Sequence, residues 1–184
     1  MDFGLSEDQR QFGDALRRFL TDRVTMDVRR TGDDVALWAG LCKLGLSGLL
    51  VPEEAGGAGL GMLDAALVAE ALGRHAAPTP FLGSAVLAPL ALRDTPYLPE
   101  IAAGRMRVAA CLGALTGSTG AVTLRRDGNR ISGNATALLE AAGATHLLLA
   151  LPDGALTLVA ADASGVALRP RRALIGCARL PIWH

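Results

Sequence analysis

Aromatic residues make up only 4% of this 184-residue sequence, and Lys43 is the single lysine among 18 basic side chains. Both are compositional biases and carry no functional signal. Charge of either sign is not in excess: 18 Lys and Arg balance 18 Asp and Glu, with an isoelectric point near 6.8. No net field draws such a chain to phosphate backbones or anionic lipid, so neither nucleic acid nor a membrane surface is an expected partner. The three cysteines, Cys42, Cys111 and Cys177, are scattered and odd in number. They fit neither a disulfide framework nor a zinc-ligand spacing, and buried free thiols are expected. No apolar stretch reaches membrane-spanning length without a charge, Gly or Pro, and residues 1–5 lack a basic start followed by an apolar run. A cytoplasmic address is the expectation.

Motifs for hydrolytic and nucleotide chemistry are missing too. There is no G-x-S-x-G, no H-E-x-x-H and no lysine behind a glycine run. The run Gly56-Gly57-Ala58-Gly59-Leu60-Gly61 lacks the preceding strand and the later acidic residue of a dinucleotide fingerprint, and reads as a structural turn. Adjacent Glu53 and Glu54 diverge, whereas paired-carboxylate catalysis needs convergence. His75, His146 and His184 each stand without a Ser, Cys or acid at suggestive spacing, so structural roles are expected. No catalytic residue and no metal ligand is assigned.

What is present is a change of grammar. Phe12, Leu16, Phe19, Leu20 and Val24 share one helical face, and Ser6 with Gln9 forms a capping box, predicting a helix from Glu7 into the middle twenties. Residues 34–44 predict a second helix stopped by Gly45, and residues 62–72 a third that buries Leu63, Ala66 and Leu67. Between them Pro52 and the glycines exclude a helix, so residues 46–61 are read as an ordered loop. Shorter helices are expected at 83–91 and 96–103. After Gly104 short apolar runs at 107–115, 121–126, 130–133, 145–151, 155–160 and 166–171 read as strands, with turns at Asp127-Gly128-Asn129 and Pro152-Asp153-Gly154. The fold class expected is α+β: an N-terminal helical domain over residues 1–104, then a small antiparallel β-barrel-like domain over 105–184, broken off in its last strand.

Three segments then carry a resemblance: Asp2-Phe3-Gly4-Leu5-Ser6-Glu7-Asp8-Gln9-Arg10, the longer Leu44-Gly45-Leu46-Ser47-Gly48-Leu49-Leu50-Val51-Pro52-Glu53-Glu54-Ala55-Gly56-Gly57-Ala58-Gly59-Leu60, and Val68-Ala69-Glu70-Ala71-Leu72-Gly73-Arg74. In order and spacing they resemble the N-terminal domain of acyl-CoA dehydrogenases, with 105–184 similar to that family's middle β-domain. The resemblance implies FAD as cofactor, an acyl-CoA or other acyl thioester as substrate, assembly as a homo- or hetero-oligomer of acyl-CoA dehydrogenase-type subunits, and residues 46–60 lining part of the acyl pocket. It implies also that the catalytic base sits in a C-terminal helical domain outside these residues.

The family's Thr-Glu-Pro-x-x-Gly-Ser stretch corresponds to Leu112-Gly113-Ala114-Leu115-Thr116-Gly117-Ser118. Only Gly117 and Ser118 match, so they are the cofactor-binding residues the resemblance assigns, although the pair equally suits a plain turn. Where the family has a Trp wall and a hydroxyl, this sequence has Ala137 and Leu139, which supply neither an indole face nor a hydrogen bond. Three functions are therefore expected in competition: a portion or subunit of a flavin-dependent dehydrogenase acting on an acyl thioester, a non-catalytic partner subunit of a hetero-oligomeric one, and a binding protein of the same fold without redox activity. The substitutions predict that the purified chain retains no one-to-one FAD. Visible flavin absorbance, measured after adding excess FAD and desalting, is expected at background; a stoichiometric spectrum would contradict this reading.

Overall fold

The computed structural model describes residues 4–32, 34–113, 123–136, 138–175 and 178–183, with side chains through residue 169. Six α-helices and seven strands are described in chain order. Helix α1 (Glu7–Arg23) starts at the predicted capping box: Ser6 Oγ accepts from the Gln9 amide at 3.1 Å, and Gln9 Oε1 accepts from the Ser6 amide at 3.0 Å. A six-residue helix that the apolar periodicity did not reveal, α2 (Met26–Thr31), follows, capped by Thr25 and closed by left-handed Gly32. It buries no residue, so it leaves no hydrophobic stripe to read. Helix α3 (Val35–Lys43) buries Leu37, Trp38 and Leu41.

Helix α4 (Met62–Arg74) forms where expected but is turned about its axis. It buries Ala65, Val68, Ala71 and Leu72, while Leu63 is 57% and Met62 56% exposed, which corrects the predicted inner face of Leu63, Ala66 and Leu67. The helix is apolar nearly all round, so periodicity alone cannot fix its phase. It also continues through Gly73 instead of ending there. A π-helical segment (Leu82–Leu87) then runs into α5 (Ala88–Ala91), followed by α6 (Leu98–Ala102).

The strands are β1 (Val108–Cys111), β2 (Arg125–Asp127), β3 (Arg130–Ser132), β4 (His146–Ala150), β5 (Leu156–Ala160), β6 (Pro170–Ile175) and β7 (Ala178–Trp183). Two predicted turns stand: Gly128 and Gly154 take left-handed φ of 56° and 85° between paired strands. The last predicted strand lies further along, at β6. The α+β class holds, with a three-stranded sheet ordered β1-β4-β5, two separate two-stranded ribbons, and no closed barrel among the described residues. One pairing departs from the antiparallel expectation: β1 runs parallel to β4, with Val108 opposite His146. More than 30 residues, including the β2–β3 hairpin, separate them, which is length enough for a parallel return.

Strands β1 and β4 are buried on both faces. Val108 and Leu148 pack with Ala88, Ile101 and Met106 on the helical side, while Ala109, Cys111, Leu147 and Leu149 pack with Leu124, Leu138 and Leu151 on the other. Both strands therefore read as continuous apolar runs instead of alternating ones. Among the described residues no helix is long and apolar enough to cross a membrane.

The phase of α4 has a direct test. Leu72→Ala empties a site that is 5% exposed and is expected to destabilise the chain by about 2–4 kcal/mol in denaturant titration. Leu63→Ala on the outer face is expected to change it by less than about 0.5 kcal/mol.

Candidate functional site

The loop between α3 and α4 is held by its own main chain. Gly45 takes a φ of 83° at the end of α3, and two short turns of 3-10 helix, Leu46–Gly48 and Glu53–Ala55, flank Pro52. The glycine run then folds back: Ala58 donates to Gly48 O at 2.9 Å, Gly59 to Val51 O at 2.9 Å and Leu60 to Leu49 O at 2.9 Å. Leu46, Leu49 and Val51 are buried beneath, and Ser47 Oγ donates to Ala102 O at 2.8 Å. Gly57 makes this closure possible, because a Cβ there would sit 2.0 Å from Val51 O. The carboxylate of Asp64 fastens the far end, accepting from the Gly61 amide at 3.0 Å and from Gln9 Nε2 at 2.9 Å.

The loop thus presents a fixed wall. Glu53 and Glu54 point no charge into the core and are exposed, as their adjacency implied. Beside them Leu60, Met62 and Leu63, between 43% and 57% exposed, form an apolar rim. Such a surface can hold an aliphatic chain or a packed helix, and it offers no nucleophile or general base.

The positions matched to the flavin motifs are only partly visible. Gly117 and Ser118, with Ala114 and Ala137, lie outside the described residues. Leu139 is described: its amide donates to Ala110 O at 2.9 Å and its carbonyl accepts from the Ala110 amide, so its backbone groups are used. Its side chain is 49% exposed, an apolar surface where the resemblance placed a hydroxyl, while Leu138 is buried. Neither Leu138 nor Leu139 offers the side-chain hydrogen bond that a flavin ring edge asks for.

The histidines have local partners. His75 Nδ1 lies 2.8 Å from Ala71 O, and His146 Nδ1 lies 3.0 Å from Thr145 Oγ1 with its ring against Tyr97. His184 and Cys177 lie outside the described residues. Cys42 and Cys111 are free, and burial pushes both thiols up, away from the reactive thiolate form. Among the described residues no three of His, Cys, Asp and Glu converge as metal ligands.

Sequence reasoning missed the polar junction between helices and sheet. Arg107 pairs with Asp34 at 2.6 Å, with side chains 13% and 14% exposed, and also donates to Ala142 O. Buried Ser84 Oγ accepts from the Val108 amide at 2.9 Å. Glu140, at a left-handed φ of 59°, accepts from the amides of Leu82 at 3.1 Å and Gly83 at 2.6 Å. Burial, the largest influence, pushes the Glu140 carboxyl up to about 7 against the opposing pull of those two amides. The only signal for it in the sequence was one acid set in an otherwise uncharged stretch, residues 135–144.

Comparison with known proteins places this geometry. The sequence profile described as acyl-CoA dehydrogenase, N-terminal domain, matches residues 6–105. The acyl-CoA dehydrogenase IpdE2 of Mycolicibacterium smegmatis is 46% identical over 76 residues, which are 40% of this chain and 24% of the relative. Among solved structures, the ChsE4-ChsE5 complex from Mycobacterium tuberculosis matches with a TM-score of 0.80 at 26% identity, covering 100% of this chain and 55% of the other. A variant of the Tcur3481-Tcur3483 steroid ACAD matches with a TM-score of 0.73 at 32% identity, covering 90% and 51%. The chain thus spans about half the length of these solved relatives.

Gly57→Ala tests the closure of the loop. The forced contact with Val51 O is expected to destabilise by more than about 2 kcal/mol, and hydrogen exchange should show the amides of Ala58, Gly59 and Leu60 losing protection together. Protection unchanged from wild type would show that the backbone contact is easily relaxed.

Proposed function

Since the chain belongs to the acyl-CoA dehydrogenase family, we propose that it is a portion or subunit of a flavin-dependent dehydrogenase that forms the α,β double bond of an acyl thioester. In this reading residues 1–104 form the N-terminal domain and 105–184 the middle domain. The observation that carries it is the loop over residues 46–60, whose self-closed backbone gives the family's helix–loop signature a rigid form able to wall an acyl chain. In such an assembly FAD would supply the hydride acceptor for the β-carbon. The contribution of this chain is positional: it fixes one wall and excludes water with Leu60, Met62 and Leu63, while the base that removes the α-proton comes from elsewhere.

One observation favours a second reading, a non-catalytic partner subunit in a hetero-oligomer. Leu139 puts a half-exposed apolar side chain where the family sequence carries a hydrogen-bonding hydroxyl. The ChsE4-ChsE5 and Tcur3481-Tcur3483 relatives, which are described as two-component assemblies, give that reading a precedent. In both readings the site is completed from outside these residues, by the rest of a longer chain or by an acyl-CoA dehydrogenase-type subunit.

The test is turnover with an artificial electron acceptor and a panel of acyl-CoA thioesters. The 184-residue chain alone is expected to be inactive. Co-expression with an acyl-CoA dehydrogenase-type subunit is expected to give a stable flavin-containing complex that turns over. Leu63→Asp on the apolar rim is expected to weaken that complex at least about tenfold, because it places a charge in a surface to be buried. Turnover by the isolated chain, or failure of every such subunit to associate, would overturn the proposal.

A further inference from the structure

Strand β5 ends the sheet ordered β1-β4-β5, and among the described residues no strand lies on its outer side. Its pairing with β4 shows which backbone groups face that open edge. At one end of the ladder the Leu151 amide donates to Ala155 O at 2.8 Å, and at the other the Ala161 amide donates to Thr145 O at 2.9 Å. Antiparallel pairs alternate, and between those ends Leu149 lies opposite Thr157 and Leu147 opposite Val159. Ala155, Thr157, Val159 and Ala161 therefore turn their amides and carbonyls toward β4, while Leu156, Leu158 and Ala160 turn theirs outward. Of these outward groups, Ala160 O alone has a partner among the described residues, the Ala163 amide at 3.1 Å.

Edge strands are ordinarily blunted by a lysine, a proline, a bulge or a covering element. Leu156-Thr157-Leu158-Val159-Ala160 has no charge and no proline, and its register with β4 runs without a bulge. Exposed apolar side chains flank it. Leu156, Leu158 and Ala160 share the sheet face that packs on the helices, where Leu158 joins Leu148, Leu98 and Ile101. On that side Leu156 is 43% exposed at one end of β5. At the other end Tyr97, 40% exposed, sets its ring against His146, the residue opposite Ala160.

We propose that this edge is the seam of a homodimer, in which two copies pair antiparallel about a two-fold axis at Leu158 and join their three-stranded sheets into one. The pairing is self-complementary. Leu158 exchanges both backbone bonds with its own copy, and Leu156 exchanges both with the partner's Ala160, which uses the groups turned outward. The acids nearest the edge, Asp153 and Asp162, fall opposite the partner's Ala163 and the partner's Gly154, so like charges do not meet across the seam. Residues 151–168 hold no basic side chain to select an acidic strand, so an uncharged strand identical to β5 is the occupant this edge fits. The seam uses none of the residues assigned to the acyl wall and does not rest on the dehydrogenase reading.

Sedimentation equilibrium and amide hydrogen exchange of the full 184-residue chain test it. A dimer is expected, with the Leu156, Leu158 and Ala160 amides gaining protection on association while the Thr157 and Val159 amides are protected in monomer and dimer alike. Leu156→Lys sets on the edge the charge that blunts strand pairing. It is expected to raise the dimer dissociation constant at least about tenfold while Thr157 and Val159 stay protected. A monomer at every concentration would overturn the proposal. So would a dimer whose outward amides exchange as fast as in the monomer, since the contact then lies elsewhere. Outward amides already protected in the monomer would overturn it too, since another segment of the chain then covers the edge. If the variant does not fold, wild-type exchange decides alone.

Discussion

Where the chain passes from helices to sheet, the π-helical segment meets β1 with no side chain between the two backbones at Gly83, and amides on both sides find side-chain acceptors there. Ser84 supplies one and Glu140 two, from residues 24 and some 57 positions away in sequence. Arg107 and Asp34 brace the same junction from the start of α3. A partly buried ion pair of this kind is worth little as a net contribution to stability, yet breaking it strands a charge, so its main effect is to specify one arrangement. The positions of α3, the glycine loop above it and the first strand all follow from that arrangement.

The apolar packing is organised around the junction. The core formed by α1, α3 and α4 includes Phe81, Ala85 and Val86, so the π-helical segment is packed into the helices at one face and seated on the sheet at the other. Val108 and Leu148 carry the core across to Ala88 and Ile101, and their sequence neighbours face a second core within the β region. A π-helical turn widens the helix by one residue, and such turns recur where a helix must present particular groups to a neighbour. Here it delivers the Leu82 and Gly83 amides to a single carboxylate.

For the dehydrogenase reading, this construction matters through rigidity. The loop over residues 46–60 pairs none of its polar side chains as a catalytic couple, and in this reading its contribution is a braced surface on which the acyl chain lies. The outer face of α4 and Leu60 extend that surface with exposed apolar side chains, which a lone folded unit would normally cover. The flavin-side positions are apolar where they are described, at Leu138 and Leu139. In that reading redox capability depends on what an assembly adds, and the acyl wall does not.

The helical half was legible in the sequence because its signals are local. Ser6 and Gln9 cap α1 in one turn, Gly45 ends α3, and Pro52 with the glycines forbids a helix, all within a few residues of backbone. The loop signature at 44–60 was legible for the same reason, and so was the family. Tertiary structure alone decided the rest. The face α4 buries could not be read from a helix apolar all round, and the parallel return of β4 beside β1 depends on a pairing across more than 30 residues. The role of Glu140 was least legible. An acid among uncharged residues becomes a cap only when folding brings the Leu82 and Gly83 amides to it, and only then do burial and Asp34 act on its carboxyl. Local hydrogen bonds and turn geometry are encoded within a few neighbouring residues, whereas desolvation and long-range pairing exist only once the chain has closed on itself.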